Sequence, residues 1–119
     1  TMVDEAFHKK RITLINNGEA KRDFLPLDIA VEYLHTLSNS SQLPRTFNVA
    51  SYQAHSFKYV SDIIVSKLTD ISIVNKRHNT SNILYKFSID SNKIIPKIDF
   101  SLKSKILEYI NSFEDSSLQ

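Results

Sequence analysis

Apolar residues recur at two spacings along the chain, every three to four residues in some segments and every second residue in others, and this alternation predicts an α/β arrangement. Met2, Val3, Ala6 and Phe7 fall on one helical face, which predicts a short helix over the first ten residues, ending in the basic run His8 to Arg11. Ile12 to Ile15 reads as a strand. Asn16-Asn17-Gly18-Glu19 comes next, and because Asn and Gly tolerate positive φ, this stretch predicts a hairpin into Lys21 to Leu25. Pro26 ends that second strand. Asp28 reads as an N-cap, and Leu27, Ala30, Val31, Leu34 and Leu37 predict a helix over 28–38.

Ser38 to Pro44 is a polar loop, and Thr46 to Ala50 alternates like a short buried strand in which the Asn48 amide serves neighbouring loop backbone. Ser56 stands before Phe57, Val60, Ile63, Ile64 and Leu68 as a capping hydroxyl stands before an apolar stripe, predicting a helix over 56–68. Ile71 to Val74 is a second short strand, succeeded by a polar loop over 76–82 that holds Lys76-Arg77-His78. Residues 83–89 alternate at the strand period, a pattern shared with an extended loop lying on a core. Pro96 interrupts any regular element before residue 101. Ser101 caps a last helix with the stripe Leu102, Ile106, Tyr109, Ile110 and Phe113, and 114–119 is a polar tail. The expected fold is one domain over 1–119, a small sheet of short parallel strands covered by about four helices. Strands 46–50 and 71–74 are expected to pair in parallel across helix 56–68.

Composition narrows the chemistry. With 119 residues, 41% of them hydrophobic, the chain can bury a core that needs no metal or disulfide. It has no cysteine, which removes thiolate catalysis and zinc ribbons and fits a reducing cytoplasm. Apolar runs no longer than Ile63-Ile64-Val65 allow neither a membrane span nor a secretory leader. Fifteen basic against 13 acidic residues, scattered along the chain, argue against a nucleic-acid partner. Gly18 is the only glycine, so neither a P-loop nor a dinucleotide fingerprint can be drawn. His8, His35, His55 and His78 share no metal-ligand spacing, and there is no G-x-S-x-G elbow or Tyr-x-x-x-Lys pair. No catalytic residue and no metal ligand is assigned.

The order of elements and several motifs resemble the C-terminal, substrate-binding part of the extended short-chain dehydrogenase/reductase family, the NAD-dependent nucleotide-sugar epimerases and dehydratases. Gly18-Glu19-Ala20-Lys21-Arg22-Asp23-Phe24 is similar to the family's glycine-to-Arg-Asp-Phe motif, and Thr46-Phe47-Asn48-Val49 to its Tyr/Phe-Asn-Val strand. Ser56 and its helix resemble the serine-capped helix that comes after that strand. Arg77 stands near a second family arginine, and Ile89-Asp90-Ser91-Asn92-Lys93 resembles an Asp-x-x-Lys segment. Two places differ: Ile29 occupies the position of a family acid, with Asp28 one residue earlier, and no glycine comes after the Asn-Val strand.

The resemblance implies that Arg22 clamps a substrate pyrophosphate, because a guanidinium fork matches phosphate oxygens and keeps its charge. The competing reading pairs Arg22 with Asp23 or Asp28. Arg77 is a second candidate phosphate ligand, against a solvated Lys-Arg-His loop face. Asp28, Asn48, Ser56 and Ser101 read as structural or capping residues. The partners implied are a nucleotide-diphosphate sugar and an N-terminal Rossmann domain carrying NAD or NADP, a cofactor this chain alone is not expected to bind. A homodimer is left open. The rival expectation is a non-catalytic remnant or protein-interaction module of the same fold.

Overall fold

The computed structural model describes residues 1–40, 49–78 and 98–117. Four helices surround a small parallel sheet, in the order α1 (Met2–Lys9), β1 (Arg11–Ile15), β2 (Lys21–Asp23), α2 (Leu27–Ser38), β3 (Ala54–Ser56), α3 (Phe57–Lys67), β4 (Ser72–Lys76) and α4 (Leu102–Ser117). This is the α/β class expected from the sequence. Among the described residues no helix is long and apolar enough to cross a membrane.

The strand pairing departs from the expected hairpin. β1 pairs in parallel with β4, Ile12 opposite Ile73 and Leu14 opposite Asn75, while β2 pairs antiparallel with β3. The link between β1 and β2 explains why. Asn16, Asn17 and Gly18 take φ of 50°, 60° and 69°, three successive left-handed residues where a two-residue hairpin needs two. Gly18 is buried against the start of α3, so close that a Cβ on it would lie 2.7 Å from the Lys58 nitrogen. The Phe57 amide donates to the Ala20 carbonyl at 3.1 Å, which steers the chain into β3 rather than back along β1. A parallel partner of the 71–74 strand is 11–15, and the expected pairing with 46–50 falls largely outside the described residues. Residues 41–48 and 79–97, with Asn48 and the alternating segment 83–89, lie outside the described residues.

Two other local expectations shift. The cap position of α2 is Pro26, and Asp28 sits inside the first turn, its Oδ1 accepting from the Ile29 amide at 2.9 Å. The last helix continues through most of the expected polar tail, to Ser117. Ser56 Oγ accepts from the Tyr59 amide at 3.0 Å and Ser101 Oγ from the Ser104 amide at 3.3 Å, each meeting an otherwise unbonded first-turn donor.

Ile12 and Leu14 on β1, Val60 and Ile64 on α3, Val3 and Ala6 on α1, and Leu102 and Ile110 on α4 form the main core. Ile29, Tyr33 and Leu37 of α2 form a second, with Leu25, Val49 and Ile98 against it, and Phe100 packs against both. The Tyr33 hydroxyl accepts from the Ile98 amide at 2.8 Å, tying the approach to α4 onto α2.

Glu5 fastens α1 to β1. Its Oε1 accepts from the Thr13 hydroxyl at 2.8 Å and from Arg11 Nε at 3.4 Å, and these bonds, Thr13 foremost, hold its carboxyl below the ordinary 4.5. A carboxyl depressed in the folded state adds stability above its unfolded value and loses it as pH falls through the folded one. Urea midpoints should therefore decline below about pH 4.5 more steeply in the wild type than in Glu5→Gln. Parallel declines would show that Glu5 contributes nothing to the acid sensitivity.

Candidate functional site

Arg22 lies at the centre of β2, directly opposite His55 of β3. Side chains opposite one another in an antiparallel pair project from the same face, so these two are neighbours. Arg22 is half-buried as a residue, with its guanidinium carbon 5.8 Å from the Phe57 ring centroid and Nη1 donating to the Lys21 carbonyl at 2.7 Å. Phe57 is held in turn by an edge contact with Phe24, centroids 5.5 Å apart. An arginine laid over an aromatic face loses little further freedom when its fork engages an anion. His55 stacks on Tyr59, centroids 4.6 Å apart and planes 18° from parallel, with Nε2 3.4 Å from Gln53 Oε1.

Each carboxylate weighed as a partner of Arg22 has a bonding role of its own. Asp23 accepts from the Ser51 amide on Oδ1 and the Tyr52 amide on Oδ2, each at 2.8 Å. Asp28 accepts from Lys105 Nζ across α2 and α4, and Lys105 lies 3.6 Å from Glu108. The bond from Lys105 holds the Asp28 carboxyl below its ordinary value and raises the Lys105 ammonium. Asp23 thus clamps the loop before β3, a role that sequence reading missed; consecutive amides 28 residues away leave no trace beside an Arg-Asp-Phe motif.

Arg77 is exposed just beyond β4. Its neighbour His78 exchanges two hydrogen bonds with the Asn16 side chain, its carbonyl accepting from Nδ2 at 2.8 Å and its amide donating to Oδ1 at 2.9 Å. These bonds extend the β1·β4 ladder by one more step through a side chain. Arg77 therefore stands at the carboxyl end of the parallel sheet, beside the turn that leads into the strand of Arg22. Ligands of open α/β sheets bind outside the carboxyl ends of the strands. The two arginines are on different strand pairs, joined through this turn.

A cleft of about 700 Å³ lies elsewhere, between the starts of α1 and α2 and one side of α4, lined by Thr1, Leu27, Asp28, Lys105 and Tyr109 among others and by neither arginine. Among the described residues no group of three His, Asp or Glu could hold a metal ion.

No family model matches the sequence, and no curated protein matches it. Among solved structures the chain is similar to TunA, an NAD-dependent NDP-hexosamine 5,6-dehydratase involved in tunicamycin biosynthesis, with a TM-score of 0.78 and 18% sequence identity. The two share a fold. The match covers 96% of this chain and 39% of that one, so this chain spans about two-fifths of the dehydratase it resembles.

Proposed function

We propose that this chain is the nucleotide-sugar-binding portion of an NAD(P)-dependent epimerase, dehydratase or reductase of the extended short-chain dehydrogenase/reductase family. The observation that carries the reading is the fold shared across 96% of the chain with part of an NAD-dependent NDP-hexosamine dehydratase. The placement of Arg22 and Arg77 supports it. Arg22 supplies a planar two-bond fork backed by Phe57, and Arg77 a second positive charge at the carboxyl end of the parallel sheet. Together they neutralise the diphosphate and so hold the hexose in place, which is positioning rather than bond-making.

Gly18 is the only glycine in the sequence and is itself packed against Lys58, so the sequence lacks the glycine-rich loop of a dinucleotide-binding fingerprint. The nicotinamide belongs to the remainder of a longer polypeptide, and its contribution when bound is hydride transfer.

The test titrates UDP-glucose, dTDP-glucose and NAD separately into the polypeptide carrying this chain with its cofactor domain. Arg22→Ala should weaken the nucleotide sugar by about 1.5–3 kcal/mol, the usual worth of a charge-assisted bond, and leave NAD unchanged. Arg22→Lys should recover part of the loss, since an ammonium keeps charge but not the fork. Sugar affinity equal in wild type and both variants would overturn the clamp. Folded protein with no nucleotide-sugar affinity at all would favour the rival, a non-catalytic module of this fold.

A further inference from the structure

The single glycine of the sequence comes directly after an asparagine, and that pairing has a chemistry of its own. The backbone nitrogen that follows an asparagine can attack the side-chain amide carbon, and glycine, with no side chain in the way, obstructs the approach least. A nitrogen–carbon bond forms, the side-chain nitrogen leaves as ammonia with the proton of the attacking amide, and a cyclic imide remains. Water then opens either side of the ring. The products are aspartate, or isoaspartate in which the main chain runs through the former side chain.

Ring closure has a geometric requirement that this turn does not meet. The attacking nitrogen must eclipse the asparagine Cβ about the Cα–C bond, which an L residue achieves at ψ of roughly −120°. Asn17 has φ 60° and ψ 15°, so the Gly18 nitrogen is turned about 135° away from that position. Reaching it means rotating the Asn17-Gly18 peptide, and Gly18 is not free to follow. It is buried against the start of α3, where a Cβ would come within 2.7 Å of the Lys58 nitrogen and 3.2 Å of a Leu14 methyl. On the other side, Asn16 is tied to His78 by two side-chain hydrogen bonds. Asn17 itself is exposed, so water for the second step is at hand.

We propose that Asn17 is a modification site held latent by the fold: local opening of the 16–18 turn lets it deamidate, and the isoaspartate product keeps the turn from closing again. Isoaspartate lengthens the main chain by a methylene before Gly18 and places a carboxylate beside it, in a seat with no room for a methyl group. The Asn16 bonds to His78, which extend the β1·β4 ladder, are lost with that seat. Loss of ammonia makes the change one-way. None of this depends on what Arg22 and Arg77 bind.

Peptide mapping of the 119-residue chain during incubation at mildly alkaline pH tests it, with isoaspartate recognised by labelling with an isoaspartyl methyltransferase. Conversion of Asn17 in the folded chain should be slower by about tenfold or more than in the chain unfolded by urea, because the rate tracks the open fraction of the turn. Asn16→Ala, which removes both bonds to His78, should speed conversion in the folded state. Ile106→Ala, which loosens α4 instead, should leave it unchanged, since local opening does not draw on global stability. In the isoaspartate fraction, amides over 72–78 should exchange faster than in the unconverted protein. Asn17→Asp, with the added charge on a main chain of normal length, should keep their protection. Equal rates in folded and unfolded chain, equal acceleration by Asn16→Ala and Ile106→Ala, or unchanged protection in the isoaspartate fraction would each overturn the proposal. The first and last of these comparisons use the wild-type chain, so they decide the matter even where Asn16→Ala fails to fold.

Discussion

Ile110→Ala is expected to lower the unfolding free energy by about 3–5 kcal/mol, a large share of what a domain of this size possesses. Ile110 has no exposed surface and packs into the core that α4 shares with β1 and α3, where Ile64 and Ile12 are equally enclosed. Truncation there removes the transfer free energy of three carbons and leaves a cavity that neighbours on rigid elements cannot collapse into. Ile106, one turn earlier, is only half-buried, and Ile106→Ala should cost about half as much because solvent already reaches part of it. Urea denaturation of both variants checks the pair. Equal losses, or a loss below about 0.5 kcal/mol at Ile110, would mean that α4 does not dock on this core through Ile110.

Asp23→Ala is expected to cost about 2–4 kcal/mol, from the loss of two hydrogen bonds between a carboxylate and backbone amides. Ser51 is 1% exposed, so its amide has no route to water when the acceptor goes. The second amide belongs to Tyr52, whose φ of 62° is a backbone state that a side-chain-bearing residue adopts only when its surroundings hold it there. Asp23→Asn keeps one acceptor oxygen in place of two and should recover about half of the loss. Because the clamped loop leads into β3, opposite Arg22, Asp23→Ala should also speed amide exchange at 51–56 ahead of global unfolding. Protection there equal to that of the wild type would show that the loop is held by other means.

The helices were legible in the sequence because their determinants are local. Ser56 and Ser101 stand within three residues of the amides they accept from, and Leu102, Ile106 and Ile110 repeat at a spacing that only a helix turns toward one side. The α/β class came from the same periodicities. Candidate arginines were legible as residue types, since phosphate recognition calls for a fixed charge in a fork, but their surroundings were not.

Strand partners were decided by tertiary structure. A period of two says which side chains share a face and nothing about which strand lies alongside, so Ile12 to Ile15 fitted a hairpin as well as it fits the parallel pair with β4. The choice came from Gly18 seating against Lys58 and from the Asn16 side chain bonding to His78, 62 residues away. Ala54 to Ser56 has no strand pattern and becomes one only because β2 presents it with unpaired amides and carbonyls. Asp28 has the chemistry of a cap yet pairs with Lys105, 77 residues on, because α2 and α4 bring the two charges together. Sequence by itself determined the elements and the residue types available for anion binding, through interactions that span a turn or less. Only the folded chain decided which carboxylates were already engaged, which sheet end carried Arg77, and how the Asn17-Gly18 turn is seated, since each depends on contacts between segments far apart in sequence.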